Sequence, residues 1–214
     1  MQPDIDRLTS PVHCLQTSRP TAQVLELPLY VEHGSPLQPR NYFLLDNFSI
    51  GLSKWCPPVM PETGLHPRPM SSADLKQWFP EIDPAGWHTT WYPSRWGEDV
   101  GEIHNRTDGY LSIFIPHVER LHPQHKVIML VSHAATIIAL TRSLHGDQKL
   151  PIRVGCCSLT EVVRKEEEDR KVIGGWEVKR LADGTHLQNG TSRDWGFEDI
   201  DVAHGEVKMV KNLP

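Results

Sequence analysis

The stretch Val127-Ile-Met-Leu-Val-Ser-His-Ala-Ala-Thr136 is the part of the sequence that predicts the fold most directly. Its first five residues form an unbroken apolar run of strand length, which is typical of a strand buried on both faces of a parallel sheet. Apolar residues at helical spacing follow over residues 134–144, and Gly146 stands where a helix commonly ends. A buried strand that passes directly into a helix predicts an α/β protein.

Apolar periodicity and helix-end signals predict the remaining elements. We expect helices over residues 9–22, 72–78 and 97–121, the last with Pro116 as an end or a kink, because apolar residues recur there at three to four residue spacing. We expect strands over residues 25–31, 158–164 and 175–181. The sequence thus predicts one domain over residues 1–181 and a polar, Gly-rich and loosely packed C-terminal tail over residues 182–214.

The composition favours an ordinary globular protein and disfavours several other classes. The chain has 214 residues, of which 38% are hydrophobic and 23% charged. A formal net charge of −5 provides no basic field for direct nucleic-acid binding. The 4 cysteines make no disulfide framework, the first residues do not resemble a signal peptide, and the longest apolar stretch is shorter than the ~20 residues of a membrane span. We therefore expect an intracellular protein, cytoplasmic or nuclear, that does not bind membranes.

His133 is the strongest candidate for a functional residue. It follows the predicted strand and precedes the predicted helix, the position at which open α/β sheets bind ligands. The free N–H groups at the helix start, beginning with Ala134, favour an anion, and an imidazole there can donate to a phosphoryl oxygen. The alternative is a histidine that only caps the helix or satisfies a partner in the core.

Two other groups of residues, three histidines and two cysteines, give weaker indications of a functional site. His117, His122 and His125 lack the spacing of two metal ligands on one helical face, so we expect no metal site. Cys156 and Cys157 are expected to alternate between the two faces of a strand and to form a reduced, partly buried pair.

Four segments resemble motifs of one superfamily in the same order along the chain. They are similar to the motifs of the histidine phosphatase, or phosphoglycerate mutase-like, superfamily, and the resemblance extends over roughly residues 9 to 165. The segments are Thr9-Ser-Pro-Val-His-Cys-Leu-Gln-Thr17, Gly51-Leu-Ser-Lys-Trp55, Leu130-Val-Ser-His-Ala-Ala135 and Val154-Gly-Cys-Cys-Ser-Leu-Thr-Glu161.

The resemblance implies a three-layer α/β/α fold with a mainly parallel central sheet, but it also implies an incomplete active site. The superfamily uses a nucleophilic histidine in an Arg-His-Gly motif on its first strand, and no Arg-His dipeptide occurs in this sequence, so that strand is expected to be missing. His13 stands where the superfamily has an arginine, and Lys54 stands where it has a proton-donating glutamate. His133 is the catalytic residue that the resemblance retains, and His133, Ala134 and His13 are the expected phosphate-binding residues, with no cofactor.

The C-terminal part of the sequence resembles one branch of this superfamily in particular. Residues 175–187, together with Trp195-Gly-Phe197, resemble the fungal branch that includes the histidine-phosphatase subunit of the RNA polymerase III general transcription factor. Three functions stay open. The first is a phosphatase-like protein with weak or no activity towards a phosphorylated small molecule or peptide. The second is a non-catalytic interaction subunit of a transcription factor complex. The third is the truncated product of a gene for an active phosphatase.

Residues 35–51 interrupt the resemblance. Removing them would join His33 and Gly34 directly to Leu52 and restore a continuous family-like segment. We interpret the segment as an insertion from a retained intron or a gene-model error. A genuine lid over the pocket is the alternative, because loops of this length often carry function.

Overall fold

The structure, a computed structural model, describes residues 11–32, 63, 70–92, 99–166, 171–203 and 206–209. The predicted insertion at residues 35–51 and the segment that contains Lys54 lie outside the described residues. The chain divides into two compact units. The first comprises Met1–Glu98 with Met129–His133, and the second comprises Asp99–Ile128 with Ala134–Pro214.

The first unit is built on two helices, α1 (Pro11–Leu25) and α2 (Ser72–Leu75). Helix α1 confirms the helix predicted over residues 9–22, and it continues past Pro20. Helix α2 begins where the side chain of Ser71 accepts a hydrogen bond from the Asp74 N–H, and it covers the first half of the helix predicted over residues 72–78. Apolar residues from both helices and from the loops form one core cluster, which contains Leu15, Val31, Leu75, Phe79 and Ile82.

Polar contacts fix the chain around this core. Arg19 and Gln23 of α1 both donate to Glu81, at 2.8 and 2.7 Å. Hydrogen bonds from its own backbone and from these two side chains hold the pKa of Glu81 below its usual value, against the effect of burial. The strand predicted over residues 25–31 is reduced to one parallel bridge between Leu29 and Ile82, because α1 extends to Leu25.

Two long helices form the centre of the second unit. Helix α3 (Val100–Leu121) begins with a capping box, in which Asp99 and Glu102 each accept the other's backbone N–H. Helix α4 (Ala134–His145) ends before Gly146, which has a φ of 87°. Both helices confirm their predictions, and α3 continues through Pro116 without ending there. Their buried faces meet. On the buried face of α3, Tyr110 stacks on Phe114 one turn further along the same helix, at 5.0 Å between ring centroids.

The described part of the second unit also contains six short strands, and they pair antiparallel as three two-stranded sheets. Strands β2 and β3 confirm the strands predicted over residues 158–164 and 175–181, and the structure pairs them with one another. Strand β1 pairs with β4, and β5 pairs with β6. The strands are β1 (Val154–Cys156), β2 (Leu159–Arg164), β3 (Trp176–Asp183), β4 (Ser192–Trp195), β5 (Ile200–Ala203) and β6 (Glu206–Met209).

Residues 127–131 do not form the predicted strand. They lie in neither a helix nor a strand, and Val127 and Met129 are 84% and 58% exposed. A strand needs a neighbour to complete its backbone hydrogen bonds, and no other described segment pairs with this one. The three-layer fold with a mainly parallel central sheet stays a prediction.

The beginning of the C-terminal region is more ordered than its polar composition predicted. Strand β4 and a 3-10 helix (Phe197–Asp199) follow one another, and Trp195 and Phe197 are both buried. Their rings meet edge to face at 5.3 Å between centroids. Trp195 and Phe197 therefore belong to the core of the second unit, together with the buried Asp199, whereas residues 192–194 are exposed.

Candidate functional site

The candidate site centres on His133, whose imidazole lies beside a thiol from helix α1. The Sγ atom of Cys14 is 3.7 Å from Nε2 of His133, which joins two residues 119 positions apart in the sequence. Both side chains are half-buried. Cys14 is held in place by its helix, where the hydroxyl of Ser18 donates to the Cys14 carbonyl at 2.7 Å.

Burial determines the protonation state of this thiol. Loss of solvent raises the pKa of Cys14 from 9.0 to about 11, so only about one thiol in ten thousand is ionised at pH 7. Nucleophilic cysteines need the thiolate, which a cationic or otherwise electropositive surrounding stabilises. Cys14 is therefore a neutral hydrogen-bonding partner of His133 at neutral pH and not an activated nucleophile.

The structure places the other predicted site residues separately. His13 precedes Cys14 on α1, and its side chain is exposed. Successive helical residues point about 100° apart, so the turn of α1 that brings Cys14 to His133 directs His13 elsewhere. Ala134 is the first residue of α4, where the backbone N–H groups have no acceptor within the helix. His133 belongs to the first unit and Ala134 to the second, so their joint role in holding phosphate stays a prediction.

Cys14 is the site residue that sequence reasoning missed. The motif directed attention to His13, because that residue stands in the position of the superfamily's arginine. The available signal was helical periodicity, since Cys14 lies next to the buried Leu15 on the inner side of α1. No pattern in the sequence indicates that this face of α1 lies beside His133.

A second polar cluster lies within the second unit and involves the buried guanidinium of Arg142. This side chain is 3% exposed, donates from Nε to the Leu150 carbonyl at 3.0 Å, and forms an ion pair with Glu198. Its Cζ atom also lies 5.6 Å from the centroid of the Phe197 ring. Since all of these partners come from this chain, the cluster acts in folding by joining α4 to the C-terminal region.

A neighbouring ion pair strengthens the same connection. Arg153 pairs with Asp199, and this hydrogen bond raises the pKa of Arg153. The second carboxylate oxygen of Asp199 accepts the backbone N–H of Gly196 at 3.0 Å. Asp199 is buried, so these two donors balance its charge.

Within the described ranges, no group of three or more His, Cys, Asp or Glu side chains is arranged to hold a metal ion. None of the described helices combines the length and the apolar character needed to cross a membrane.

Comparison of the sequence with known proteins shows what this chain is similar to. No protein-family model matches the chain. The chain is 26% identical to the transcription factor tau 55 kDa subunit of Saccharomyces cerevisiae over 226 aligned residues, which cover 92% of this chain and 47% of that protein. The chain thus spans about half the length of this relative. The predicted similarity to a fungal transcription factor subunit is confirmed, whereas membership of the histidine phosphatase superfamily stays a prediction.

Proposed function

We propose that this chain is a non-catalytic protein-interaction subunit of a transcription factor complex, on a histidine phosphatase-like fold. The observation that carries the proposal is the similarity to the transcription factor tau 55 kDa subunit, which extends over 92% of this chain. The sequence resemblance to the branch associated with RNA polymerase III supports the same assignment. The partners would then be other polypeptides of the complex, and contact with DNA would be made by those partners.

The candidate site supports the non-catalytic part of the proposal. Within these 214 residues there is no Arg-His dipeptide, and His13 and Lys54 replace two groups that the superfamily mechanism uses. Loss of one charge-stabilising donor alone commonly lowers kcat by about 10²- to 10³-fold. His133 lies beside a neutral thiol, which does not supply a nucleophile at neutral pH. We therefore expect these residues to hydrolyse phosphomonoesters at no useful rate.

An exposed apolar segment offers a surface for a partner. We define the apolar segment as residues 127–130, whose exposed fractions are 84%, 44%, 58% and 40%. Their backbone groups make no hydrogen bond to another described residue. Contiguous exposed apolar residues mark interaction surfaces, and unpaired backbone groups suit the addition of a strand from another chain. We therefore assign the apolar segment to a strand of a partner subunit.

Quantitative affinity purification tests the proposal. The tagged protein is purified from cells of the organism that encodes it, and relatives of the other subunits of transcription factor tau are quantified by mass spectrometry. We expect their recovery with the unmodified protein, and a fall of at least about tenfold with Val127→Asp, which corresponds to about 1.4 kcal/mol of binding free energy.

The matched control is Val24→Asp, because Val24 is exposed to a similar extent, 81% against 84%. This variant should retain the partners, since it lies outside the apolar segment. Absence of transcription factor subunits from the purified wild-type protein would contradict the proposed function. Equal losses with both variants would contradict the choice of surface.

Phosphate binding is the second candidate function, and the position of His133 directly before the first turn of α4 favours it. The ligand would be phosphate or a phosphorylated small molecule or peptide. Titration with phosphate, followed by NMR, should shift residues 132–136 before any others. An unchanged spectrum at millimolar phosphate would contradict this role, and turnover of an aryl phosphate that His133→Ala abolishes would restore the phosphatase as the leading function.

A further inference from the structure

The turn between strands β1 and β2 places two free cysteines side by side at its centre. The turn covers residues 155–158, and Ser158 closes it by donating from its backbone N–H and its hydroxyl to the Gly155 carbonyl, at 3.2 and 2.9 Å. Cys156 and Cys157 occupy the two central positions. Both are free and exposed, whereas the alternation of a strand predicted a partly buried pair.

The backbone of Cys157 is unusual for a residue with a side chain. Its φ of 59° lies in the left-handed region, which glycine or asparagine normally occupies at this position of a turn. Strained residues of this kind persist where the surrounding structure holds them, and they are concentrated at functional sites. The strain at Cys157 therefore directs attention to its thiol, since a glycine would form the same turn with less strain.

The spacing of the two residues favours a bridged pair of sulfur atoms over a direct disulfide. Consecutive Cα atoms are about 3.8 Å apart, which is below the range of about 4.4 to 6.8 Å that ordinary disulfides span. A direct S–S bond in the turn would therefore be strained and easily reduced. An atom placed between the two sulfurs lengthens the bridge, and sulfur ligands prefer soft acceptors.

We propose that Cys156 and Cys157 form a bidentate binding site for soft, thiophilic centres of the trivalent arsenic type. A monosubstituted arsenic(III) oxide, R–As=O, has two positions to exchange. Two As–S bonds form as the arsenic–oxygen double bond breaks, and the oxygen leaves as water with both thiol protons. No electron is transferred, so the reaction needs no oxidant or reductant. The site does not depend on the proposed function of the chain.

Neither of the other two cysteines, Cys14 and Cys56, has a cysteine next to it in the sequence. Cys14 is half-buried beside His133, and burial raises its pKa to about 11. Cys56 lies outside the described residues, and because the proposed site uses two adjacent cysteines, its substitution tests whether a third thiol takes part. Zinc is not expected to bind tightly, because it takes four ligands and the described part of the chain offers no group of three or more candidate ligands.

Intact mass spectrometry of the folded full chain with phenylarsine oxide, in the presence of excess monothiol, tests the proposal. The monothiol removes adducts that rest on one sulfur, so we expect one adduct per chain that only a competing dithiol releases. Cys156→Ser and Cys157→Ser should each lower the retained adduct at least about tenfold, while Cys14→Ser and Cys56→Ser should leave it unchanged. Retention of the adduct in either of the first two variants, or its loss in either control, would overturn the assignment.

Two further measurements distinguish a binding role of Cys156 and Cys157 from a role in packing. Cys157→Gly should raise the melting temperature, because it relieves the left-handed strain, and should abolish the adduct. A lower melting temperature would mean that the Cys157 side chain is retained for packing, which contradicts the proposal. Zinc binding as tight as arsenical binding would also overturn it, since such affinity requires ligands beyond the two thiols.

Discussion

Substituting the exposed partner of the Arg142–Glu198 ion pair should destabilise the second unit more than substituting the buried partner. The two side chains are 3% and 55% exposed. Glu198→Ala leaves a buried guanidinium without its counter-charge, and breaking a buried pair in this way costs about 3–5 kcal/mol. Water can reach the position vacated by the half-exposed carboxylate, and the Leu150 carbonyl remains as an acceptor, so we expect a loss of about 2–3 kcal/mol.

Arg142→Met should cost less. It removes a charged hydrogen bond to the Leu150 carbonyl, worth about 2 kcal/mol, and a cation–π contact with Phe197, worth about 1 kcal/mol. It also removes the desolvation cost of a buried guanidinium, and methionine keeps much of the apolar stem. The carboxylate of Glu198 returns to water without penalty, so the net loss should be about 1 kcal/mol.

Urea unfolding, together with hydrogen exchange of α4 and of residues 192–199, measures these changes within the second unit. Glu198→Ala acts mainly through the orphaned guanidinium, since its other charge partner, Arg153, keeps the closer Asp199. The double variant should therefore be about as stable as Arg142→Met alone. The matched control is Glu177→Ala, whose carboxylate is 54% exposed and pairs with the exposed Lys179, and it should cost under about 0.5 kcal/mol. Equal effects of the two glutamate substitutions, or additive effects in the double variant, would refute the reasoning.

Three further predictions test other features of the fold. Gly146→Ala should lower the free energy of unfolding by at least about 3 kcal/mol, because φ is 87° and a Cβ would lie 2.7 Å from the Gly174 Cα. In the control Gly190→Ala the new Cβ meets open space, so only its φ of 68° should matter, at about 1 kcal/mol. Equal urea midpoints for these two variants would contradict the close contact. Burial raises the pKa of Cys14 in the folded protein from 9.0 to about 11. The protonated thiol should therefore contribute fully to the free energy of unfolding below pH 9, and this contribution should be lost as the pH rises from 9 to 11. The rate at which Cys14 is alkylated should rise over the same range. Alkylation that is already fast at pH 8 would contradict this. Asp99→Ala removes the capping box of α3 and should lower the free energy of unfolding by about 1 kcal/mol. Hydrogen exchange should become faster in the first turn of α3 alone. Unchanged exchange in that turn would contradict the role of the cap.

The sequence predicted those elements whose signals are local. Helices α3 and α4 carry apolar residues at helical spacing, and Gly146 is a clear end signal for α4, so their existence did not depend on distant contacts. Strands β2 and β3 were predicted for a similar reason, since each is a short run of strand-forming residues, whereas their antiparallel pairing was not predicted. In each case the information lies within about one element's length of sequence.

Features that depend on distant partners were not predicted. The apolar composition of residues 127–131 indicated a buried strand, but composition cannot show whether a neighbouring strand is present to pair with it. The contact between Cys14 and His133 joins residues 119 positions apart, and only the folded chain reveals it. The burial of Trp195 likewise depends on the pairing of β4 with β1, which a polar tail composition did not suggest.

The Arg142–Glu198 pair also sets the order in which the second unit can be completed during synthesis. The two residues are 56 positions apart, so at about 5–20 residues per second the ribosome makes Glu198 roughly 3–11 s after Arg142. Throughout that interval the guanidinium has neither its carboxylate nor the ring of Phe197, and it stays hydrated at the end of the new helix. The nascent second unit must therefore wait for the 3-10 helix at Phe197–Asp199 before this charge can be buried, and until then the end of α4 around Arg142 is open to chaperones and to other chains.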